Sequence, residues 1–257
     1  MHPILFELGP VTLHTYGLMV AAGFLFGITL AARLGQGDGL DPQKVFDTCF
    51  WIVVAAIIGS RLVYIGVNLD HFVAHPLDVV KLWEGGLVFY GGFLGAIVAG
   101  WICVNRYKMD KWVFADVAAP GAALGHIFGR FGCFFAGCCY GKPTDVPWAV
   151  TFSDVASIAP TGVPLHPTQL YDALNELIIF AILMAVRGRR SFKGQIFFLW
   201  IMLYAIGRFI VEGFRGDPRG VWFGELISTS QLFALIGFAV GLAFYLRNRK
   251  KFPILVV

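Results

Sequence analysis

Long apolar runs dominate the pattern of hydrophobic and polar positions along the chain. A helix needs about 20 apolar residues to cross a hydrocarbon core about 30 Å thick. Three runs of this length contain no Asp, Glu, Lys or Arg, at residues 8–32, 85–105 and 226–246. Four more are as long but contain ionisable residues, at 45–67, 114–135, 167–186 and 195–214. The pattern therefore predicts an all-α polytopic membrane protein with seven transmembrane helices.

The composition excludes a water-soluble globular fold and a disordered chain. Hydrophobic residues make up 58% of the 257 residues and charged residues 14%, whereas soluble domains have about 45–50% apolar and about 25% charged residues. We expect a single integral membrane domain over residues 1–257. Segment 136–165 contains four prolines and no long apolar run, which predicts an external loop. Apolar residues alternate at 148–152, so we expect either one short strand or an interfacial segment there.

Basic residues are distributed unequally between the two sides of the predicted bundle. Thirteen flank the spans on one side: Arg33, Lys44, Arg106, Lys108, Lys111, Arg187, Arg189, Arg190, Lys193, Arg247, Arg249, Lys250 and Lys251. Four flank them on the other: Lys81, Lys142, Arg215 and Arg219. Because Lys and Arg concentrate in cytoplasmic loops, we expect the N-terminus outside and the C-terminus in the cytoplasm. The formal net charge of +4 is then a topology signal, and we expect no nucleic-acid partner.

Charged side chains inside the predicted spans are the first indication of chemistry. Three arginines lie about 8 to 9 Å below the outer ends of their spans, at a rise of about 1.5 Å per residue: Arg61, Arg130 and Arg208. Asp172 and Glu176 share one face of the fifth span, and Glu212 follows Arg208 by one helical turn. Since a charge in hydrocarbon costs about 2.5 kcal/mol or more, these groups should face one another or a water-filled cavity.

Two interpretations of these charged groups at a similar depth remain open. The charges form either a self-neutralising structural cluster or a polar cavity open towards the outer leaflet. Guanidinium groups present a fork of donors that matches phosphate oxygens and stay cationic, so the cavity would hold a phospholipid head group. Tyr16 and Tyr90 lie near the outer ends of the first and third spans, where they belong either to this site or to the interfacial aromatic belt.

The cysteines divide by depth. Cys49 and Cys103 lie in apolar helices and are expected to be small core residues. Cys133, Cys138 and Cys139 lie at the outer end of the fourth span, where an oxidising compartment permits a disulfide. Their C-x4-C-C spacing matches neither the C-x-x-C redox motif nor a zinc pattern, and we expect no metal site.

Five segments carry a resemblance to a known family. GRFGCF at 129–134, continued by the glycines at 137 and 141, resembles the signature of the prolipoprotein diacylglyceryl transferases. The other four are LHTYGLM at 13–19, GLVFYGG at 86–92, LHPTQLY at 165–171 and YAIGRFIVEGFR at 204–215. They are similar to further motifs of that family and occur in the same order, so the likeness runs nearly end to end.

This resemblance implies a multi-pass enzyme of the bacterial cytoplasmic (inner) membrane that acts in lipoprotein maturation. The enzyme would transfer the sn-1,2-diacylglyceryl group from phosphatidylglycerol to the lipobox cysteine thiol in the signal peptide of a prolipoprotein. A thioether forms and glycerol 1-phosphate leaves. The resemblance implies no metal and no cofactor. The expected partners are phosphatidylglycerol, the prolipoprotein signal peptide and the bilayer.

The resemblance also assigns roles to individual residues. Arg130 takes the position of the family's phosphatidylglycerol-binding arginine, and Arg208 that of its second essential arginine. With Tyr16 and Tyr90 they form the expected catalytic set. The expected substrate-binding set contains Arg130 again and six further residues: Arg61, Gly91, Gly92, Gly141, His166 and Glu212.

The chain departs from some members of the family at three positions. It has Tyr90 where those members have a histidine, Cys133 where the signature often reads asparagine, and Cys138 where it often reads glutamate. A histidine base before the double glycine is therefore not carried over, and His166 and Glu212 are the alternative candidates for activating the thiol. His126, inside the fourth span, is expected to be a polar packing residue.

Two other classes of function compete with the transferase. A membrane thiol oxidoreductase would use the three outer cysteines with a quinone, but it lacks a C-x-x-C motif and leaves the arginines at one depth unexplained. A small transporter or receptor-like protein would use the buried ion pairs structurally. It lacks the paired discontinuous segments that mark an inverted repeat.

Overall fold

The computed structural model of the protein describes residues 2–8, 11–81, 85–217, 221–222 and 227–252. Its helices are, in chain order, α1 (Thr15–Gly37), α2 (Pro42–Val67), α3 (Leu69–Ala74), α4 (Phe89–Arg106), α5 (Lys111–Ala136), α6 (Thr168–Arg187), α7 (Gln195–Glu212) and α8 (Thr229–Lys251). A 3-10 helix at Pro76–Val80 lies between α3 and α4. Every helix except α3 and the 3-10 segment coincides with one predicted span.

Five of the long helices meet the criteria of a membrane span by length and composition: α1, α2, α6, α7 and α8. The protein is thus a mostly helical membrane protein, and the described residues hold five candidate spans against the seven predicted. Parts of the prediction fall outside the described residues: Gly9 and Pro10 of the first span, Leu226 at the start of the seventh, Arg219 in its flank and the C-terminal Val257.

The predicted start of the first span is wrong. Residues Ile4–Leu8 form β1 and Val11–His14 form β2, and the two strands pair antiparallel before α1 begins at Thr15. Thr15 is held there by its hydroxyl, which donates to the His2 carbonyl at 2.6 Å. Residues 11–14 alternate between apolar and polar, a period-two pattern typical of a strand. The run lacks charge, but it does not have the helical period.

Two more short strand pairs lie outside the helices, and the first of them confirms the short strand considered at 148–152. β3 (Val150–Thr151) pairs with β4 (Pro164–Leu165), and β5 (Val221–Trp222) pairs with β6 (Ile227–Ser228). β3 and β4 lie in the predicted loop between α5 and α6. Three buried side chains give that loop an apolar core of its own: Phe152, Ala159 and Leu165.

The chain forms two compact units. One combines residues 1–30 with 115–257, and the other contains residues 31–114. In the first unit α5, α6 and α7 pack around five buried apolar residues: Ala119, Ala123, Ile179, Leu183 and Ile196. α1 approaches α5 so closely that a Cβ at Gly27 would lie 2.5 Å from the Gly121 carbonyl oxygen, as expected for helices that pack through small residues. A single domain over residues 1–257 stays a prediction.

A buried carboxylate links α5 to the start of α7. Asp116 is 1% exposed, and its two oxygens accept hydrogen bonds from the backbone N–H groups of Gly194 at 2.8 Å and Phe197 at 3.0 Å. The first N–H groups of a helix have no partner within the helix, and the helix dipole favours an anion at this end. Asp116 therefore fixes the register of α7 against α5.

We expect Asp116→Ala to lower the free energy of unfolding by about 2–3 kcal/mol, because it leaves two buried N–H groups without acceptors. The matched control is Asp41→Ala, since Asp41 accepts from the Gln43 backbone N–H at 2.9 Å from an exposed position. Water replaces that acceptor, and the control should lose about 1 kcal/mol or less. Denaturation of both purified variants in detergent measures the difference. Equal losses would contradict the role of Asp116.

Candidate functional site

The site is built on α5, where His126 and Arg130 are one helical turn apart. The Arg130 Nε–H donates to His126 Nε2 at 3.1 Å, and His126 Nδ1 lies 2.7 Å from Glu176 Oε1. Because Nε2 accepts from arginine, the proton of the neutral imidazole is on Nδ1, from which it is donated to the glutamate. Glu176 is completely buried. Arg130 is thus oriented by a hydrogen-bonded chain that reaches α6.

Asp172, one turn before Glu176 on α6, lies between two arginines. Its Oδ2 is 3.3 Å from Arg130 Nη1 and 3.9 Å from Arg215 Nη1. It also interacts electrostatically with Arg208. The prediction that Asp172 and Glu176 share one face is confirmed, since both contact residues of α5. The carboxylate partly neutralises guanidinium groups that come from separate segments.

α7 supplies Arg208, which is 8% exposed. Its Nη2 forms an ion pair with Glu212 Oε2, one turn further along the helix, and donates to the Ser230 hydroxyl at 3.1 Å. Its Nη1 is buried and has no hydrogen-bond partner among the described residues. Tyr204 interacts electrostatically with both Arg208 and Arg130. A buried N–H without an acceptor is costly, and a bound phosphate oxygen would satisfy it.

We call this set the buried charged cluster: Arg130, Arg208, Arg215, Asp172, Glu176 and Glu212. Arg215 follows α7, and its Nε and Nη2 donate to the two oxygens of Asp217, each at 2.9 Å. All members belong to the unit formed by residues 1–30 and 115–257. Paired charges of both signs lower the cost of holding the cluster among apolar helices.

Two predicted site residues lie at the edge of this cluster. Gly141 donates its backbone N–H to the His166 carbonyl at 3.1 Å, and a Cβ there would lie 2.4 Å from the same oxygen. The His166 ring lies against Phe214, and its Nδ1 is 3.0 Å from the Tyr171 hydroxyl. A glycine is required at position 141 by this close approach, and His166 is held by local partners.

Tyr16, at the start of α1, lies beside the end of α5. A Cβ on Gly132 would be 3.1 Å from Tyr16 Cδ2. The hydroxyl interacts electrostatically with Arg130 and with three thiols, and the side chain is 44% exposed. Tyr16 therefore belongs to the same part of the molecule as Arg130.

The remaining predicted residues lie in the other unit. The Arg61 guanidinium donates hydrogen bonds to five backbone carbonyls, those of Asp78, Val79, Lys81, Gly85 and Gly86. It also lies over the rings of Tyr64 and Phe72. In this structure Arg61 fixes the segment that leads into α4.

Gly91 and Gly92 are buried where α4 packs on α2. A Cβ would lie 2.2 Å from the Gly59 carbonyl oxygen at the first position and 2.4 Å from Ser60 Oγ at the second. Tyr90, immediately before them in the first turn of α4, is 53% exposed. The two glycines set the close packing of the helix that presents Tyr90.

Three thiols meet at the end of α5. The sulfur atoms of Cys133, Cys138 and Cys139 all lie within 4.8 Å of one another. Hydrogen bonds with Cys133 and Cys138, and then the Arg215 guanidinium, lower the pKa of the Cys139 thiol, whereas hydrogen bonds with Cys133 and Cys139 raise the pKa of the Cys138 thiol. The sequence spacing indicates no such convergence, because residues 137–139 leave the helix in a turn.

Sequence reasoning missed two residues of the site. His126 was expected to be a packing residue, but the structure places it between Glu176 and Arg130. Arg215 counts in the sequence as a flank residue at the end of the segment 204–215 with no role of its own, but it is 6% exposed and joins the cluster through Asp172. The available signals were the four-residue spacing from His126 to Arg130 and the position of Arg215 three residues beyond Glu212.

Comparison with known proteins identifies the family of the chain. The model of the prolipoprotein diacylglyceryl transferase family matches residues 3–247. A phosphatidylglycerol–prolipoprotein diacylglyceryl transferase of Clostridium tetani is 34% identical, covering 94% of this chain and 96% of its own. The enzyme of the same name from Geobacter sulfurreducens is 38% identical, covering 97% and 96%. The chain belongs to the prolipoprotein diacylglyceryl transferase family.

Proposed function

We propose that this protein transfers the sn-1,2-diacylglyceryl group of phosphatidylglycerol to the thiol of the lipobox cysteine in bacterial prolipoproteins. The observation that carries the proposal is the family match over nearly the whole chain. The buried charged cluster supports it, because two of the matched motifs contain Arg130 and Arg208. The redox and transporter alternatives have no comparable support.

The reaction makes and breaks one bond at the glycerol carbon that bears the phosphate. The sulfur of the deprotonated thiol forms the C–S bond, the C–O bond breaks, and its electron pair leaves on the phosphate oxygen of glycerol 1-phosphate. The thiol proton passes to a base or to solvent. Negative charge therefore grows on the leaving phosphate, and fixed cationic donors in a site of low dielectric stabilise it.

The cluster suits this task because its arginines are oriented before the lipid arrives. We propose that Arg130 binds the head-group phosphate and that Arg208 stabilises the charge on the leaving group, with its unpartnered Nη1 as the donor. Glu212 and Ser230 hold the opposite nitrogen of Arg208 in place. Such preorganisation avoids rearrangement during the reaction.

The other predicted residues take supporting positions in this proposal. Tyr16 lines the site beside Arg130, and Gly141 with His166 shapes its edge. In the second unit, Arg61 orders the segment before α4, and Gly91 and Gly92 set the packing of the helix that carries Tyr90, whose catalytic role in this proposal rests on the family resemblance alone. Supporting observations are the carbonyl contacts of Arg61 and the exposure of Tyr90.

We further propose that seven helices cross the bacterial inner membrane, with the N-terminus outside and the C-terminus in the cytoplasm. The unequal distribution of Lys and Arg supports this orientation. The coincidence of the seven long helices with the seven apolar runs supports the number of spans. Phosphatidylglycerol would then be drawn from the outer leaflet.

We expect Arg130→Ala and Arg208→Ala each to lower the rate of diacylglyceryl transfer by at least about 100-fold, the usual cost of losing one donor to a developing charge. Arg130→Lys keeps the charge but loses the fork of donors, so its loss should also be severe. The readout is transfer of labelled diacylglyceryl from phosphatidylglycerol vesicles to a lipobox peptide.

Arg33→Ala is the matched control, because Arg33 is exposed in the last turns of α1 and belongs to none of the matched motifs, and it should leave transfer within about twofold. Size-exclusion chromatography in detergent establishes that each variant is folded. Near-normal transfer by folded Arg130→Ala and Arg208→Ala proteins would show that the arginines are structural and that the proposed site is wrong.

The chain from Glu176 through His126 to Arg130 generates a separate prediction. Glu176→Leu removes the acceptor of the His126 Nδ1–H and should lower transfer by about tenfold or more, whereas Glu176→Gln keeps a carbonyl acceptor and should retain most activity. The loss should appear mainly as a higher KM for phosphatidylglycerol, because Arg130 is the proposed phosphate ligand. Identical kinetics of the two variants would refute the positioning role.

The orientation is tested with reporters that are active on one side of the membrane only. An insertion after the exposed residue Thr161 should report the outside, and a fusion after Val257 should report the cytoplasm. The physical reason is the positive charge of the flanks, which resists translocation. Both reporters on the same side would exclude a seven-span arrangement.

A further inference from the structure

The three-thiol cluster at the end of α5 has no role in the transfer proposed above. Cys133 lies in the last turn of α5, and Cys138 and Cys139 lie in the turn that follows. All three are partly exposed, and their sulfur atoms lie within 4.8 Å of one another. A metal ion and its water could therefore reach all three sulfurs.

The backbone that carries two of these sulfurs is held in place. The Thr168 hydroxyl donates to the Cys139 carbonyl at 2.7 Å, and Gln169 Nε2 donates to the Cys138 carbonyl at 2.8 Å. Thr168 and Gln169 are fully buried at the start of α6. Cys139 has a φ of 60°, in the left-handed region. Residues other than glycine keep this conformation where the surrounding structure holds them in it. The convergence of the thiols is thus imposed by the fold.

The distances between the three sulfur atoms suit a single metal ion that binds all of them. Zinc–sulfur bonds are about 2.3 Å long, so tetrahedral ligands lie about 3.8 Å apart, and the three sulfurs would need to close by about 1 Å or less. Thiolates select soft or borderline cations such as Zn²⁺. A disulfide could join only two of the three thiols.

Charge balance favours the same occupant. Three thiolates around a divalent cation carry a net charge of −1. The Arg215 guanidinium interacts electrostatically with Cys139, and Arg130 interacts electrostatically with Cys133. The two arginines would therefore compensate the charge of the filled site.

We propose that Cys133, Cys138 and Cys139 bind one Zn²⁺ ion through three thiolates, with the fourth position left to water. Binding releases the thiol protons to solvent. The ion would lock the turn after α5 in place beside Arg130 and Arg215. This inference goes beyond the proposed function, since it requires neither the lipid nor the prolipoprotein.

The test is a Co²⁺ titration of the full-length protein, purified in detergent under reducing, anaerobic conditions. One equivalent of Co²⁺ should produce thiolate-to-metal charge-transfer absorption, and one equivalent of Zn²⁺ should abolish it. Cys133→Ser, Cys138→Ser and Cys139→Ser should each weaken binding at least tenfold. Cys49→Ser and Cys103→Ser are the controls and should bind as the unchanged protein does.

Three results would overturn the proposal. They are binding of less than one Co²⁺ per unchanged chain, equal binding by the unchanged protein and the Cys139→Ser variant, and a disulfide among the three cysteines in protein isolated from membranes and mapped by mass spectrometry. Because metal binding is measured without substrate, its absence in protein that still transfers diacylglyceryl groups overturns the metal site alone. If the unchanged protein binds the metal but does not transfer diacylglyceryl groups, the result would instead count against the proposed function.

Discussion

The burial of guanidinium groups among apolar helices is the constraint on which the rest of the structure depends. An unpaired charge in this environment costs several kcal/mol, and pairing with good hydrogen bonds is what makes it tolerable. The acids accordingly occur one turn apart on α6 and one turn beyond Arg208 on α7, where a helix presents them on a single face. Asp172 lies between Arg130 on α5 and Arg215 after α7, so one carboxylate of α6 pairs with guanidinium groups from two other segments. The need to pair these charges therefore constrains both how the helices pack and where the cluster lies.

The arginines inside the helical part of the molecule differ in how many of their hydrogen-bond donors already have partners. Arg61 spends its guanidinium on five backbone carbonyls, so it acts as a clamp on the segment before α4. Arg208 uses one nitrogen on Glu212 and Ser230 and keeps the other buried without a partner among the described residues. Arg130 is aligned through His126. The same side chain thus keeps different numbers of donors available because its neighbours satisfy them to different degrees.

The cysteine cluster adds a second polar centre next to the first. Arg215 forms an ion pair with Asp172 and interacts electrostatically with Cys139. A change in the charge of the thiols therefore alters the electrostatic environment of Arg215, which belongs to the buried charged cluster. A zinc ion there would stiffen the end of α5, the helix that carries Arg130, without taking part in bond making.

The sequence by itself determined the positions of the long helices, the membrane class, the family and the ion pair of Arg208 with Glu212, because each depends on local periodicity, hydropathy or residues one turn apart. It did not reveal that Ile4–Leu8 and Val11–His14 are paired strands, since the lack of charge over residues 8–32 does not distinguish a strand from a helix. Only the tertiary structure decided that His126 orients Arg130, that Arg61 is used on backbone carbonyls and that three cysteines with an unfamiliar spacing converge. These contacts join residues from 4 to 50 positions apart in the chain. The longer ones depend on which helix faces meet and how a loop turns, and neither is encoded in a local pattern.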